Sequence, residues 1–167
     1  VFNEATIVSN TYGNGRGVIT FSKDLTDIGD YAFSRCKGFK SVILPKSVKT
    51  LGISAFAECS NLESIILPED LTTLGISAFS DCVSLTSITI PGVKEIGGSA
   101  FAFCSSLTEI IISDGVRIIG DSAFAFCTSL TEITITDGVT TLDNSVFASC
   151  RNLKDVDIPN SVTSFGS

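Results

Sequence analysis

Residues 99–110 read Ser-Ala-Phe-Ala-Phe-Cys-Ser-Ser-Leu-Thr-Glu-Ile, and residues 122–133 repeat them with Thr128 in place of Ser105. Extended in both directions, the pattern gives six copies, starting at Ile28, Leu51, Leu74, Ile96, Ile119 and Leu142. Each runs for 23 residues except the third, which is one residue shorter in its turn near Gly92. The shared unit is Ile/Leu-Gly-x-x-Ala-Phe-x-x-Cys-x-x-Leu-x-x-Ile-x-Ile-Pro-x-x-Val. A unit this short cannot enclose its own apolar positions, so like positions must stack copy upon copy.

The periods within a copy predict its local structure. Ile65-x-Leu67, Ile110-x-Ile112 and Ile133-x-Ile135 alternate by two, as a short strand with one buried face does. Stacking like on like makes these strands parallel, with right-handed crossovers. The spacing Ala100-Phe101-x-x-Cys104 predicts one helical turn, with a Ser before it at 54, 77, 99, 122 and 145 as its cap. Gly29, Gly52, Gly75, Gly97 and Gly120 mark a corner that needs positive φ or close backbone approach. Asp143, in the sixth copy, is expected to tolerate the same geometry. The four prolines, Pro45, Pro68, Pro91 and Pro159, end the strands because they cannot donate to a ladder. The expected fold is therefore an α/β solenoid, a right-handed superhelix of about six coils. A parallel sheet forms one side and short helical turns the other, with Phe33, Phe56, Phe79, Phe101, Phe124 and Phe147 as the spine of the core.

Three segments are expected. Residues 28–164 hold the repeats, and 165–167 begin a further, truncated copy at Phe165-Gly166. Residues 1–27 form an N-terminal cap: Ile19, Phe21 and Leu25 match Val42, Leu44 and Val48, and Asn14-Gly15 suits the turn of a hairpin covering the edge of the first coil. The chain has no Met and starts at Val1, as a piece of a longer protein would.

Composition narrows the chemistry. The formal charge is −7, unevenly spread: residues 1–83 carry seven basic and nine acidic groups, residues 84–167 four and nine. Nucleic acid and anionic membrane surfaces are therefore poor partners, and no apolar run approaches the roughly 20 residues of a membrane helix. With no His, the commonest general base and metal ligand is missing. Cys36, Cys59, Cys82, Cys104, Cys127 and Cys150 recur at the repeat period, without the close pairs a zinc site uses. They are expected as free, buried, small apolar residues beside the Phe spine, although an oxidising compartment would permit disulfides between coils. No cofactor or metal site and no catalytic residue is expected. Carboxylates such as Glu132 and Asp155 stand on a ladder and not in a cleft.

The combined unit closely resembles the BspA-like, or treponeme-type, leucine-rich repeat, in six consecutive copies over residues 28–164. Its turn departs from the general leucine-rich repeat: Pro-Lys-Ser (45–47) or Ser-Asp-Gly (113–115) replaces Asn or Cys, so no asparagine ladder is expected. The resemblance implies a non-catalytic protein-interaction module, extracellular or at a cell surface, that adheres to host matrix proteins or other cells. A structural spacer of a larger surface protein is the alternative.

If such a module binds through its sheet, two outward columns supply the contacts. One is Ser41, Ser64, Ser87, Glu109, Glu132 and Asp155; the other is Ile43, Ile66, Thr89, Ile111, Thr134 and Asp157. The face runs from an apolar patch at Ile43 and Ile66 to an acidic ladder from Glu109 to Asp157. Like charges directly opposed are unfavourable, which points either to a cationic partner or to a solvated acidic face. Phe103 and Phe126 stand in a column otherwise polar, and either stack on each other or form an exposed aromatic patch.

Overall fold

The computed structural model describes residues 7–13 and 16–167, with side chains from Ser22 onward. Two antiparallel strands come first, β1 (Ile7–Gly13) and β2 (Arg16–Phe21), paired from Gly13 and Arg16 outward. They form the expected hairpin; its turn at Asn14-Gly15 lies outside the described residues.

Thereafter each coil contributes a two-residue strand and then a longer one. These are β3 (Asp27–Ile28) and β4 (Ser41–Ile43), β5 (Thr50–Leu51) and β6 (Ser64–Ile66), and β7 (Thr73–Leu74) and β8 (Ser87–Ile90). The series continues with β9 (Glu95–Ile96) and β10 (Glu109–Ile112), β11 (Ile118–Ile119) and β12 (Glu132–Thr134), β13 (Thr141–Leu142) and β14 (Asp155–Asp157), and β15 (Ser164–Phe165). All pair in parallel, like position on like: Ile110 beside Ile88, Ile119 beside Ile96, Leu142 beside Phe165. The short strands form one seven-stranded sheet, a side of the solenoid that two-residue segments gave no period to reveal. The longer strands form the expected second side, divided into β4–β6 and β8–β10–β12–β14.

The expected helical turns are absent. Among the described residues the Ala-Phe-x-x-Cys stretches are strings of tight turns. In the third coil Ala78 N–H donates to the Gly75 carbonyl and Cys82 N–H to the Phe79 carbonyl. The third residue of each turn, Ser77 or Asp81, has φ of 54° or 58°. Positive φ at that residue alone marks a type II turn. The intervening amides point out of the coil: Ser77, Phe79 and Asp81 donate to Gly98, Ala100 and Ala102 of the next coil, at 2.8–2.9 Å. A helix would close those bonds within its own coil, and nucleating one over so few residues is costly. Alternating turns instead supply a third ladder that ties coil to coil and gives these amides partners.

Two smaller expectations change with it. Ser54, Ser77, Ser99, Ser122 and Ser145 do not cap helices; each occupies the left-handed position of its first turn, with φ of 52–55°. The corner glycines serve close approach and not positive φ. A Cβ on Gly75 would lie 2.6 Å from the Gly52 carbonyl carbon, and one on Gly97 2.6 Å from that of Gly75. Asp143 is not left-handed either. Positive φ among the described glycines falls at Gly115 and Gly138 (112° and 120°), in the two coils whose turn has no proline. Where proline is present it follows the strand at once, at Pro91, or after one residue. Its carbonyl then accepts from the Val or Leu three residues on at Pro45, Pro68 and Pro159.

The core is continuous along the array and, among the described residues, holds no buried polar or charged residue. Its axis is the Phe column. Successive rings lie 5.1–5.9 Å apart and within 25° of parallel from Phe33 through Phe147. Phe56, Phe79, Phe101 and Phe124 are fully buried, whereas Phe33 and Phe147, at the ends, are half-buried.

Candidate functional site: the face of the longer strands

Strand alternation buries Ile65, Ile88, Ile110 and Ile133 and turns their neighbours to solvent. Both columns foreseen from the sequence are exposed throughout. Register brings them together as expected: Ser41 beside Ser64, Ile43 beside Ile66, Glu109 beside Ser87, and Ile111 beside both Thr89 and Thr134. Glu132 stands beside Asp155, and Thr134 beside Asp157. Ser64 donates to Ser41 at 3.0 Å, side chain to side chain.

Large apolar side chains on this face are open to water. Ile43, Ile66 and Ile111 are 68%, 59% and 49% exposed. Around the edges of this face, in the first two coils, acidic groups meet cations. On the turn side Arg35 forms a two-pronged pair with Glu58, and in the corners before and after the longer strands Lys40 lies 3.5 Å from Glu63 and Lys49 3.0 Å from Asp70. These pairs sew the cation-rich first coil to the second, a feature the repeat consensus concealed. Glu109, Glu132, Asp155 and Asp157 have no such partner among the described residues.

The division of the sheet has a local consequence. Leu44 N–H donates to the Ile66 carbonyl between β4 and β6, but no equivalent bond joins Leu67 to Thr89. A shallow groove of about 280 Å³ lies over that break. Its walls are Ser64, Ile66, Ser87, Thr89, Glu109 and Ile111, and Ile65 and Ile88 lie beneath. No sequence signal marks it, because the residues at the break obey the repeat.

On the turn side, Phe103 and Phe126 satisfy both expectations at once. Their rings stack at 4.5 Å and 8°, yet remain 45% and 41% exposed. Both residues have φ near 60°, like Arg35, Glu58, Asp81 and Ser149 in the same column.

The six cysteines are free, and all but Cys36 are buried. They are more than fillers. Each thiol from Cys59 onward donates to the Phe carbonyl of the coil before, Cys82 to Phe56 and Cys104 to Phe79 among them, at 3.1–3.2 Å. Burial pushes Cys59 up to about 11 and Cys82 and Cys127 to about 12, and raises Cys104 well above the usual thiol range. They are therefore protonated and inert in the folded array. Side-chain bonds between neighbouring coils also recur: Asn61 and Asn152 donate to the Lys37 and Thr128 carbonyls of the coil before, and Asn144 donates to the Asp121 carboxylate of the coil before.

The comparisons with known proteins agree with this architecture. The model of the BspA type leucine-rich-repeat region matches six copies, over residues 12–93 and 79–167. The leucine-rich-repeat protein of T. pallidum is 35% identical, with a TM-score of 0.82 over 87% of this chain and 68% of that one. A leucine-rich-repeat protein of Bacteroides ovatus ATCC 8483 is 25% identical (TM-score 0.64, 99% of this chain, 55% of that one). One of Eubacterium ventriosum ATCC 27560 is also 25% identical (TM-score 0.70, 77% and 41%). No curated protein matches. On the match along nearly its whole length, the chain belongs to the BspA-type leucine-rich-repeat family.

Proposed function

We propose that the chain is a non-catalytic adhesion module of a secreted or cell-surface protein, and that the face of the longer strands contacts a protein of the host matrix or of another cell. Leucine-rich repeats of this kind are generally protein-interaction modules. The observation that carries the reading is the character of that face. Ile43, Ile66 and Ile111 stay exposed, and the carboxylates of Glu109, Glu132, Asp155 and Asp157 have no ion-pair partner among the described residues, although the first coil pairs its cations with other acidic groups. Opposed carboxylates disfavour the folded array on their own; a cationic partner reverses that sign. Residues 1–27 act in this reading as the cap that shields the first coil, with 28–164 as the binding array.

The test is binding to a panel of immobilised extracellular-matrix proteins and fixed cells. Wild type is compared with Glu109→Lys/Glu132→Lys/Asp155→Lys and with a control reversal off the face, Glu69→Lys/Asp114→Lys/Asp137→Lys. The face triple loses binding while the control keeps it. Equal binding by all three proteins overturns the assignment.

A further inference from the structure

The groove between β6 and β8 is small, one-sided in charge and apolar beneath. We infer that it is a specificity pocket for a single arginine side chain of the protein partner. The inference rests on the reading of this face as the recognition surface. Three features converge on that occupant. The volume, about 280 Å³, holds one long side chain and not a folded element. Exposed Ile66 and Ile111 offer apolar walls for an aliphatic stem, which basic side chains lay along such surface while the charged head stays at the polar edge. At that edge Glu109 carries a carboxylate with no ion-pair partner among the described residues, and the Ser87 residue beside it in register carries a hydroxyl.

The polar groups select the head group. Ser64 already donates its hydroxyl hydrogen to Ser41, so its oxygen is left to accept. Glu109 accepts only. A guanidinium presents five donors in a flat fork and no acceptor, which matches acceptors spread along one groove wall. Among the described longer strands the bonded pairing of the sheet lapses only between β6 and β8, so the groove marks one position along an otherwise repetitive face. It therefore fixes where on the array a partner sits, a task that six near-identical coils cannot perform by themselves.

N-acetyl-arginine amide is the probe, titrated into isotopically labelled protein and followed by amide chemical shifts, with N-acetyl-citrulline amide as its uncharged counterpart. The expected result is saturable shifts confined to residues 64–67, 87–89 and 109–111. Arginine should bind about two- to fivefold more tightly than citrulline, the worth of one exposed charge pair. Glu109→Gln abolishes that preference and Glu132→Gln, outside the groove, leaves it. Equal binding of the two probes, shifts spread over the whole face, or no shifts overturns the pocket. Such a failure is separable from failure of the wider reading. If the face triple still loses matrix binding, the surface stands and only the pocket falls.

Discussion

The Phe79 carbonyl accepts two hydrogen bonds at once, from Cys82 N–H in its own coil at 3.3 Å and from the Cys104 thiol of the next coil at 3.1 Å. The same oxygen closes a turn and ties two coils together. The thiol is thus a structural donor, held in the protonated form by burial.

Alkali follows from this. Burial raises the Cys59, Cys82 and Cys127 thiols from about 9 to between about 11 and 12. The unfolded chain loses these protons first as pH rises, so the folded state binds more protons in that interval and its stability falls. The stabilisation is intact below pH 9 and is lost progressively up to about pH 12. Urea midpoints measured from pH 7 to 11 should be flat at first and then decline, and a thiol reagent at pH 8 should label Cys104 only as fast as the array opens. A midpoint that rises above pH 9 contradicts the account.

The Phe spine predicts position-dependent losses. Phe79→Ala should cost about 3–5 kcal/mol, through lost burial and the cavity left behind. Phe147→Ala, in a half-buried terminal site, should cost clearly less. Denaturant unfolding of both variants measures the difference.

The corner glycines predict a clash. In Gly75→Ala the new methyl meets Gly52 backbone at 2.6 Å, where nothing flexible can give way, and a loss of about 1–3 kcal/mol is expected as for other overpacked sites. Gly38→Ala, with nothing within 4 Å of its Cβ, should be close to neutral. Thermal unfolding of the pair checks this.

The turn serines separate the observed turns from the helix that sequence suggests. Ser99 has φ of 55°. Left-handed geometry costs a side chain with a Cβ roughly 1–2 kcal/mol and glycine little. Ser99→Gly should therefore be neutral to stabilising and Ser99→Val clearly destabilising. A helix cap would instead make Ser99→Gly mildly destabilising.

These residues also show what was legible in the sequence. Register, the parallel strands and both outward columns followed from counting, because a period of two and a period of 23 admit one alignment. The turn side did not. Ala-Phe-x-x-Cys spacing suits a helical turn and a string of type II turns equally, and the residues that adopt positive φ include Arg35, Glu58 and Phe103, which announce nothing of the kind. The thiol bonds were hidden for a similar reason: Cys104 falls at the spacing of a small apolar residue, and its donor role appears only when Phe79 is placed beneath it. The β6–β8 groove arises from a missing bond, which no residue type encodes.

The central claim is that each coil is held by contact with its immediate neighbours. A double-mutant cycle tests it most directly, using Phe79→Leu with Phe101→Leu, whose rings lie 5.4 Å apart, against Phe56→Leu with Phe124→Leu, separated by the two intervening coils. The neighbouring pair should show a coupling energy of about 0.5–3 kcal/mol and the distant pair should be additive within about 0.5 kcal/mol. Additivity in the neighbouring pair, or equal coupling in both, contradicts the stacked array.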